Sequence, residues 1–386
     1  MGKTKYTRET FRLYLPPAVG YKYPLLIRLM RKYGVETGYH GRAFVISLIS
    51  MIGAPFRLYE KMAYDRKAKN VKLETPPVFI LGHWRSGTTH LHNLLCEDAD
   101  AAYVTTYQSV FPDQTLATGS RFLFKNIMKM IMPLKRKGDN IRLSTEYPQE
   151  EEFTLGARNQ ASFYYYWYFP ELMMQFYDQY LTFETSDNSV RQTFIEDYKR
   201  VINKAILYTG KRRFFSKNPV NTARIPMLLE MYPDAKFIHI HRNPVDVILS
   251  TRHFFSHMMP GLSLHKIDHD KVNEDIYTVY ERMMKQYFDT RSLIPEGNLI
   301  EIKYENLSAD TMGDMKKIYD QFGFDGFDKA GPVIERYADS KKGYVKNKYA
   351  IKRELLDEIL KHTEFTMKEE NDILVISYPE DETKQA

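Results

Sequence analysis

Cysteine is almost missing: Cys96 is the only one in 386 residues. No disulfide can close within the chain, so a disulfide framework is excluded. Cys and His at metal-ligand spacing are missing too, and no metal is expected. No apolar run reaches the ~18 residues of a membrane-spanning helix. The candidate is FVISLISMIGAPF, residues 44–56, interrupted by Gly53 and Pro55. It reads as a buried helix; Arg28, Arg31, Lys32 and Arg42 before it, with Arg57 and Lys61 after it, leave a weak peripheral membrane contact as the second reading. Blocks of like charge are lacking: 55 Lys+Arg against 49 Asp+Glu give a net +6 spread along the chain, and no nucleic-acid partner is expected. The start MGKTKYTRETF has no early apolar core, which argues against a secretory signal and for a cytoplasmic protein. Internal repeats and low-complexity tracts are absent.

What is there is an alternation of strand and helix patterns. Residues 1–75 read as a helical N-terminal layer ending at LETPP. Strands are predicted at 78–81, 213–216, 236–241 and 298–304, with helices at about 222–231, after Asn243-Pro244, and near 310–322. Between the first two strands, residues 98–211 form a mostly helical insert; residues 340–386 read as a loop, a helix and a tail. The pattern predicts a single α/β domain with a central, mostly parallel sheet flanked by helices.

Two segments carry chemistry. In FILGHWRSGTTHLHNLL, residues 79–95, an apolar strand runs into Gly82 and Gly87 with four residues between them, then into Thr88, Thr89 and a helical pattern. A Walker A loop would place lysine where Thr88 stands. Such a loop turns tightly, and the N–H groups around residues 86–89 converge on an anion at a helix N-terminus. The bland alternative is a plain strand-to-helix turn; Arg85-Ser86 and Thr88-Thr89 tilt the balance to a phosphate site. In FIHIHRNPVDVILSTRHFF, residues 237–255, Arg242 lies just past a strand, Asn243 is placed to cap, and Pro244 suits the first helical position. Ser250 follows about two helical turns later. Arginine and serine so placed grip one phosphate from two sides. In the alternative reading Arg242 pairs with Asp246 and Ser250 bonds back within its helix.

Together these segments resemble the sulfotransferases that use 3′-phosphoadenosine 5′-phosphosulfate (PAPS), with GHWRSGTTHLHNLL most similar to the bacterial group. The resemblance implies the P-loop-like sulfotransferase fold and PAPS as co-substrate, with adenosine 3′,5′-bisphosphate (PAP) as product. It gives the 5′-phosphosulfate to Arg85, Ser86, Gly87, Thr88 and Thr89, and the 3′-phosphate to Arg242 and Ser250. Arg85 then stands at the bridging oxygen, where cytosolic members have lysine and tyrosylprotein sulfotransferases have arginine. By likeness to the latter, Lys217 in FFSKNPVNTARIP becomes a second cation at the transferring group. His90 takes the place of a tryptophan that packs on adenine. Lys342 and Gly343, in DSKKGYVKNKY, fall where many members hold a basic loop over the 3′-phosphate; an exposed basic loop is the alternative.

The catalytic glutamate that tyrosylprotein sulfotransferases carry about twenty residues beyond the loop arginine has Thr105 and Thr106 in its region here, so the base that removes the acceptor proton is sought elsewhere. EYPQEEEFTLG resembles the P-x-E-[DE]-[EC] segment of the broader group and points to Glu150, then Glu151, with an acidic first helical turn as the plain alternative. His83, His90 and His92 are rivals. The run FYYYWYF at 163–169, with Met128, Met130, Met132, Met173 and Met174, is core or an apolar acceptor wall. The reading is sulfuryl transfer to a hydrophobic small-molecule alcohol or phenol of sterol, steroid or lipid type. A P-loop kinase of a small metabolite, or a non-catalytic nucleotide-binding protein, are the alternatives.

Overall fold

The computed structural model describes residues 16–133, 143–342 and 351–370. Gly343 therefore lies outside the described residues. The chain forms two compact units: one from 1–72, 103–210 and 256–268, the other from 73–102, 211–255 and 269–386.

The second unit is built on a five-stranded sheet of order β2-β3-β1-β4-β5, with β1 Val78–Leu81, β2 Ala101–Ala102, β3 Arg213–Lys217, β4 Lys236–His241 and β5 Leu299–Lys303. Every pairing is parallel. All four residues of β1 are fully buried, as a central strand covered on both faces requires, which is why it reads as the unbroken apolar run VFIL. β5, at an edge, is more exposed and carries Glu301 and Lys303. At the β2 edge, buried Arg213 donates to Asp98 at 2.6 Å and Asp325 at 2.8 Å while its guanidinium covers the Phe324 ring at 4.3 Å. The register aligns Ile80 with Lys217 and Leu81 with His239. The carboxyl ends of β1, β3 and β4 thus finish side by side, at the edge where parallel sheets bind ligands.

The first unit is helical. Residues 163–169 all lie in its core, at most 3% exposed, most of them in a 3-10 turn Phe163–Trp167, with Phe163 and Tyr166 centroids 4.8 Å apart. The aromatic run packs this unit instead of lining an open wall. The apolar run at 44–56 departs from its first reading: Phe44, Leu48, Met51 and Ile52 are exposed, while the same helices, His40–Ile52 and Ala54–Lys69, bury Ser50, Arg57 and Glu60. Glu60 is fixed inside by Lys204 at 2.5 Å and the Leu116 amide at 2.9 Å. These polar groups bond within the unit, so the helix pair buries Ser50, Arg57 and Glu60 while several of its apolar side chains, with Lys61, Arg66, Lys67 and Lys69, face outward. Taken together, Thr37–Lys69 is long and apolar enough to cross a membrane by length and composition alone.

Candidate active site

The glycine loop follows directly from β1. Gly82 has φ +136°, and a Cβ there would lie 2.3 Å from the Ile240 carbonyl oxygen of β4, so only glycine lets the loop leave the sheet this closely. Its amide donates to Thr222 Oγ1 at 2.7 Å, which fastens the loop to the turn Pro219–Ala223 after β3. Ser86 Oγ donates to the His83 carbonyl at 2.7 Å and closes the turn. Gly87, at φ +101°, caps the helix Thr88–Leu95. The amides of Gly87, Thr88 and Thr89 meet no acceptor among the described residues, as expected for the first turn of a helix. They form a donor set of the kind that binds an anionic oxygen.

Three cations converge on this edge of the sheet. Lys217 is the last residue of β3 and is buried. Arg242 follows β4 immediately; it pairs with Asp246 at 2.8 Å and lies over the Tyr304 ring at 5.2 Å. Arg85, half-buried inside the loop, holds a left-handed φ of +72°, and its Nε donates to Ser250 Oγ at 2.9 Å while the guanidinium covers the Phe254 ring at 5.2 Å. The Asp246 half of the alternative reading is present. Ser250, however, does not bond back along its helix: it holds Arg85. The loop and the helix after β4 are therefore joined through an arginine-serine bond between the very residues assigned to opposite ends of the donor. Asn243 caps Pro244–Leu262 as expected, accepting from the Val245 amide at 3.0 Å.

The histidines separate by environment. His83 is buried, with Nδ1 2.9 Å from the Trp84 carbonyl and its ring against Tyr280; burial lowers its pKa to about 4. His92 is buried too, 3.2 Å from the Phe215 carbonyl, and burial followed by the charge of Lys217 lowers its pKa to about 3. Both are neutral supports for the loop and its helix at neutral pH. His90 is more open and meets the Tyr304 ring edge-on at 6.5 Å. Lys342 sits at the exposed end of the helix Phe327–Lys341 and pairs with Asp339 at 2.6 Å.

The three glutamates belong to the first unit. Glu152 is buried and accepts from Ser162 and the Phe163 amide; Glu151 is buried and accepts from Tyr198 at 3.4 Å. Glu150, just ahead of the helix Glu151–Arg158, alone of the three keeps partial exposure, and it accepts the Tyr164 hydroxyl proton at 2.5 Å. Tyr304 and Thr222, and the bond from Tyr164 to Glu150, are contacts of these residues that the sequence reading did not assign. Tyr304 is the last residue of the predicted fourth strand, 298–304, and directly follows β5, so its place at the carboxyl edge of the sheet was a usable signal. Among the described residues no group of three or more His, Cys, Asp or Glu is placed to hold a metal ion.

Known proteins are similar to this chain in sequence and in fold. The omega-hydroxy-beta-dihydromenaquinone-9 sulfotransferases of Mycobacterium bovis and Mycobacterium tuberculosis are each 28% identical over 351 residues, spanning 89% of this chain and 88% of theirs. Among solved structures, the sulfotransferase STF1 of Mycobacterium tuberculosis superposes with a TM-score of 0.62 at 17% identity, covering 88% of this chain and 89% of that one. STF9 of Mycobacterium avium gives 0.57 at 14% identity, covering 91% and 96%. The sulfotransferase family model matches residues 76–329, a span holding the glycine loop, Lys217, Arg242 and Ser250. That match extends over more than half of the sequence, and the chain belongs to the sulfotransferase family.

Proposed function

We propose that this protein transfers the sulfuryl group of PAPS to the hydroxyl of a hydrophobic small molecule of lipid type, releasing PAP. The observation that carries the reading is the meeting of three fixed cations and a set of unbonded loop amides at one edge of the sheet. An anion with two separated phosphoryl ends matches that charge pattern. A kinase would hold its γ-phosphate and magnesium with a Walker lysine and an acidic partner, and position 88 is threonine.

In this reading the amides of residues 87–89 and Ser86 hold the phosphosulfate, and Arg242 holds the 3′-phosphate. Arg85, oriented by Ser250, and Lys217 stabilise the negative charge that grows on the bridging oxygen as the S–O bond to phosphate breaks. Glu150 takes the acceptor proton as the new S–O bond forms, with Tyr164 fixing its carboxylate; Glu151, being buried, orients the helix that carries it. His90 and Tyr304 flank the adenine of the donor. A lipid-type acceptor is supported by the relatives whose substrate is a hydroxyl-bearing menaquinone derivative.

The test is a panel of hydroxylated lipids and sterols incubated with isotope-labelled PAPS and read by mass spectrometry, with Arg85→Ala and Arg242→Ala beside the unaltered chain. Labelled sulfate esters from the unaltered chain, a turnover defect in Arg85→Ala and a donor-affinity defect in Arg242→Ala are expected. Absence of calorimetric heat with PAP, or phosphoryl transfer from ATP and magnesium in place of sulfation, would overturn the reading.

A further inference from the structure

Of the large apolar side chains standing exposed among the described residues, most fall on one short stretch: Phe44, Leu48, Met51, Ile52, Leu58, Tyr59 and Met62, with Phe44 at 68% and Met62 at 79%. Their spacing is helical. Positions 44, 48, 52, 59 and 62 fall on one stripe along the helices His40–Ile52 and Ala54–Lys69, and the polar residues Ser50, Arg57 and Glu60 occupy the inward stripe. An apolar stripe facing outward over a polar interior is the reverse of a water-facing helix. An apolar patch of this extent marks a surface that is covered in use.

Charge identifies the cover. Residues 16–72 hold eleven Lys and Arg against three Asp and Glu, a net +8 where the whole chain nets +6. Beside the stripe lies a cavity of about 480 Å³ within the same unit, and Leu58 and the exposed Lys61 belong to both its lining and the outer surface. Three of its cations are matched inside the unit: Lys204 by Glu60 and Asp113, Arg158 by Asp113, Arg200 by Asp65. Arg28, Arg57 and Lys61 have no carboxylate partner among the described residues, and Lys22, whose Nζ donates to the Arg158 carbonyl at 2.9 Å, has Asp197 nearby without an ion-pair contact. Arg57 is 9% exposed; its Nη2 donates to the Ser50 carbonyl, and its Nη1, buried in the lining, has no acceptor.

We propose that this helix pair docks the protein on an anionic phospholipid bilayer, with its outward stripe in the acyl boundary and one phospholipid headgroup phosphate in the cationic cavity. Helices of this kind lie in the interface, apolar side down, with basic residues toward the headgroups. The buried Arg57 and Glu60 keep the pair attached to its unit, so it rests on the bilayer without crossing it. Burial, followed by the neighbouring Arg158, lowers Lys22 to about 8, and burial lowers Lys204 to about 8, beside the surplus of cations in residues 16–72. A phosphate among them relieves that surplus. This proposal stands whether or not the acceptor is a lipid.

The experiment is vesicle flotation of the full chain with phosphatidylcholine alone and with phosphatidylglycerol added. Binding to the phosphatidylglycerol vesicles, weakened by salt and reduced about tenfold or more in Phe44→Asp/Met62→Asp, is expected. Lys61→Glu should weaken binding to the anionic vesicles alone, and millimolar inorganic phosphate should not release bound protein, which separates a lipid headgroup from free phosphate. Calorimetry with PAP should give the same heat for the Phe44→Asp/Met62→Asp variant as for the unaltered chain, which separates a docking defect from a damaged donor site. Equal flotation of variant and unaltered chain, or none with either vesicle, overturns the proposal. So does a dimer in sedimentation velocity that the double variant dissociates, because a second copy would then cover the stripe.

Discussion

The bond from Arg85 Nε to Ser250 Oγ, 2.9 Å long, makes a sharp quantitative expectation. If Ser250 acts by holding Arg85, its loss matters only while Arg85 is present; if it grips the 3′-phosphate by itself, its loss matters in either background. A hydrogen bond to a charged group contributes ~1.5–3 kcal/mol, and Arg85 is half-exposed, so the lower figure applies. Ser250→Ala is therefore predicted to lower turnover about tenfold, since ~1.4 kcal/mol is one decade. Starting from Arg85→Ala, the same substitution should cost less than about 0.5 kcal/mol, leaving a coupling near 1 kcal/mol. Single-turnover rates of the four proteins with saturating PAPS measure this. Additive losses would refute the coupling and return Ser250 to an independent contact with the donor.

Three further outcomes follow from geometry already described. Gly82→Ala puts a methyl 2.3 Å from the Ile240 carbonyl oxygen at φ +136°, and should cost about 2 kcal/mol or more by urea unfolding; Gly210→Ala, at φ +68° with open space around it, should cost only about 1, and equal losses would contradict the close-approach argument. The histidine pKa values, about 4 for His83 and about 3 for His92, lie below the unfolded value near 6.5, so the unfolded chain binds more protons on acidification. Their stability contribution is full above about pH 6.5 and is lost as pH falls toward 4 and 3. Melting temperature should drop over that window and drop less in His92→Gln; an unchanged slope would argue against a buried neutral His92. Finally, Glu150→Gln should abolish turnover with PAP binding intact, and Tyr164→Phe, which removes the hydrogen bond donated at 2.5 Å, should lower turnover with PAP binding unchanged; an active Glu150→Gln variant would transfer the base role elsewhere.

The parts of the fold that were legible are those whose burial is uniform. β1 and β4 match the expected 78–81 and 236–241 because a strand covered on both faces leaves an apolar run with sharp ends. β2 is two alanines with no pattern to find, and its pairing with β3 depends on register, which local sequence does not encode. The helix pair at 40–69 was misread for a physical reason: an apolar run was expected inside, whereas internal hydrogen bonds and ion pairs fix Arg57 and Glu60 there. In the site, the loop and the Arg242–Asp246 pair are local and could be anticipated from spacing. The Arg85–Ser250 bond joins positions 165 residues apart and needed the sheet to bring them together.

The choice of arginine at position 85 has a backbone cost that the side chain must offset. A non-glycine residue at φ +72° is strained by about 1–2 kcal/mol, so a glycine or a more relaxed turn would fold better. Lysine would keep the charge, but as a compact ammonium it cannot hold Ser250 with one edge, cover Phe254 with its face and still present donors to an oxyanion. The planar guanidinium has five donors in a fixed fork, and only Nε is used by Ser250. Arg85→Lys is therefore predicted to retain most donor affinity, because the charge remains, and to lose turnover about tenfold to a hundredfold, because the charge is no longer aimed. Single-turnover measurement with saturating donor separates the two effects. Turnover equal to that of the unaltered chain would show that charge alone suffices at this position, and that orientation by Ser250 contributes nothing to the transfer step.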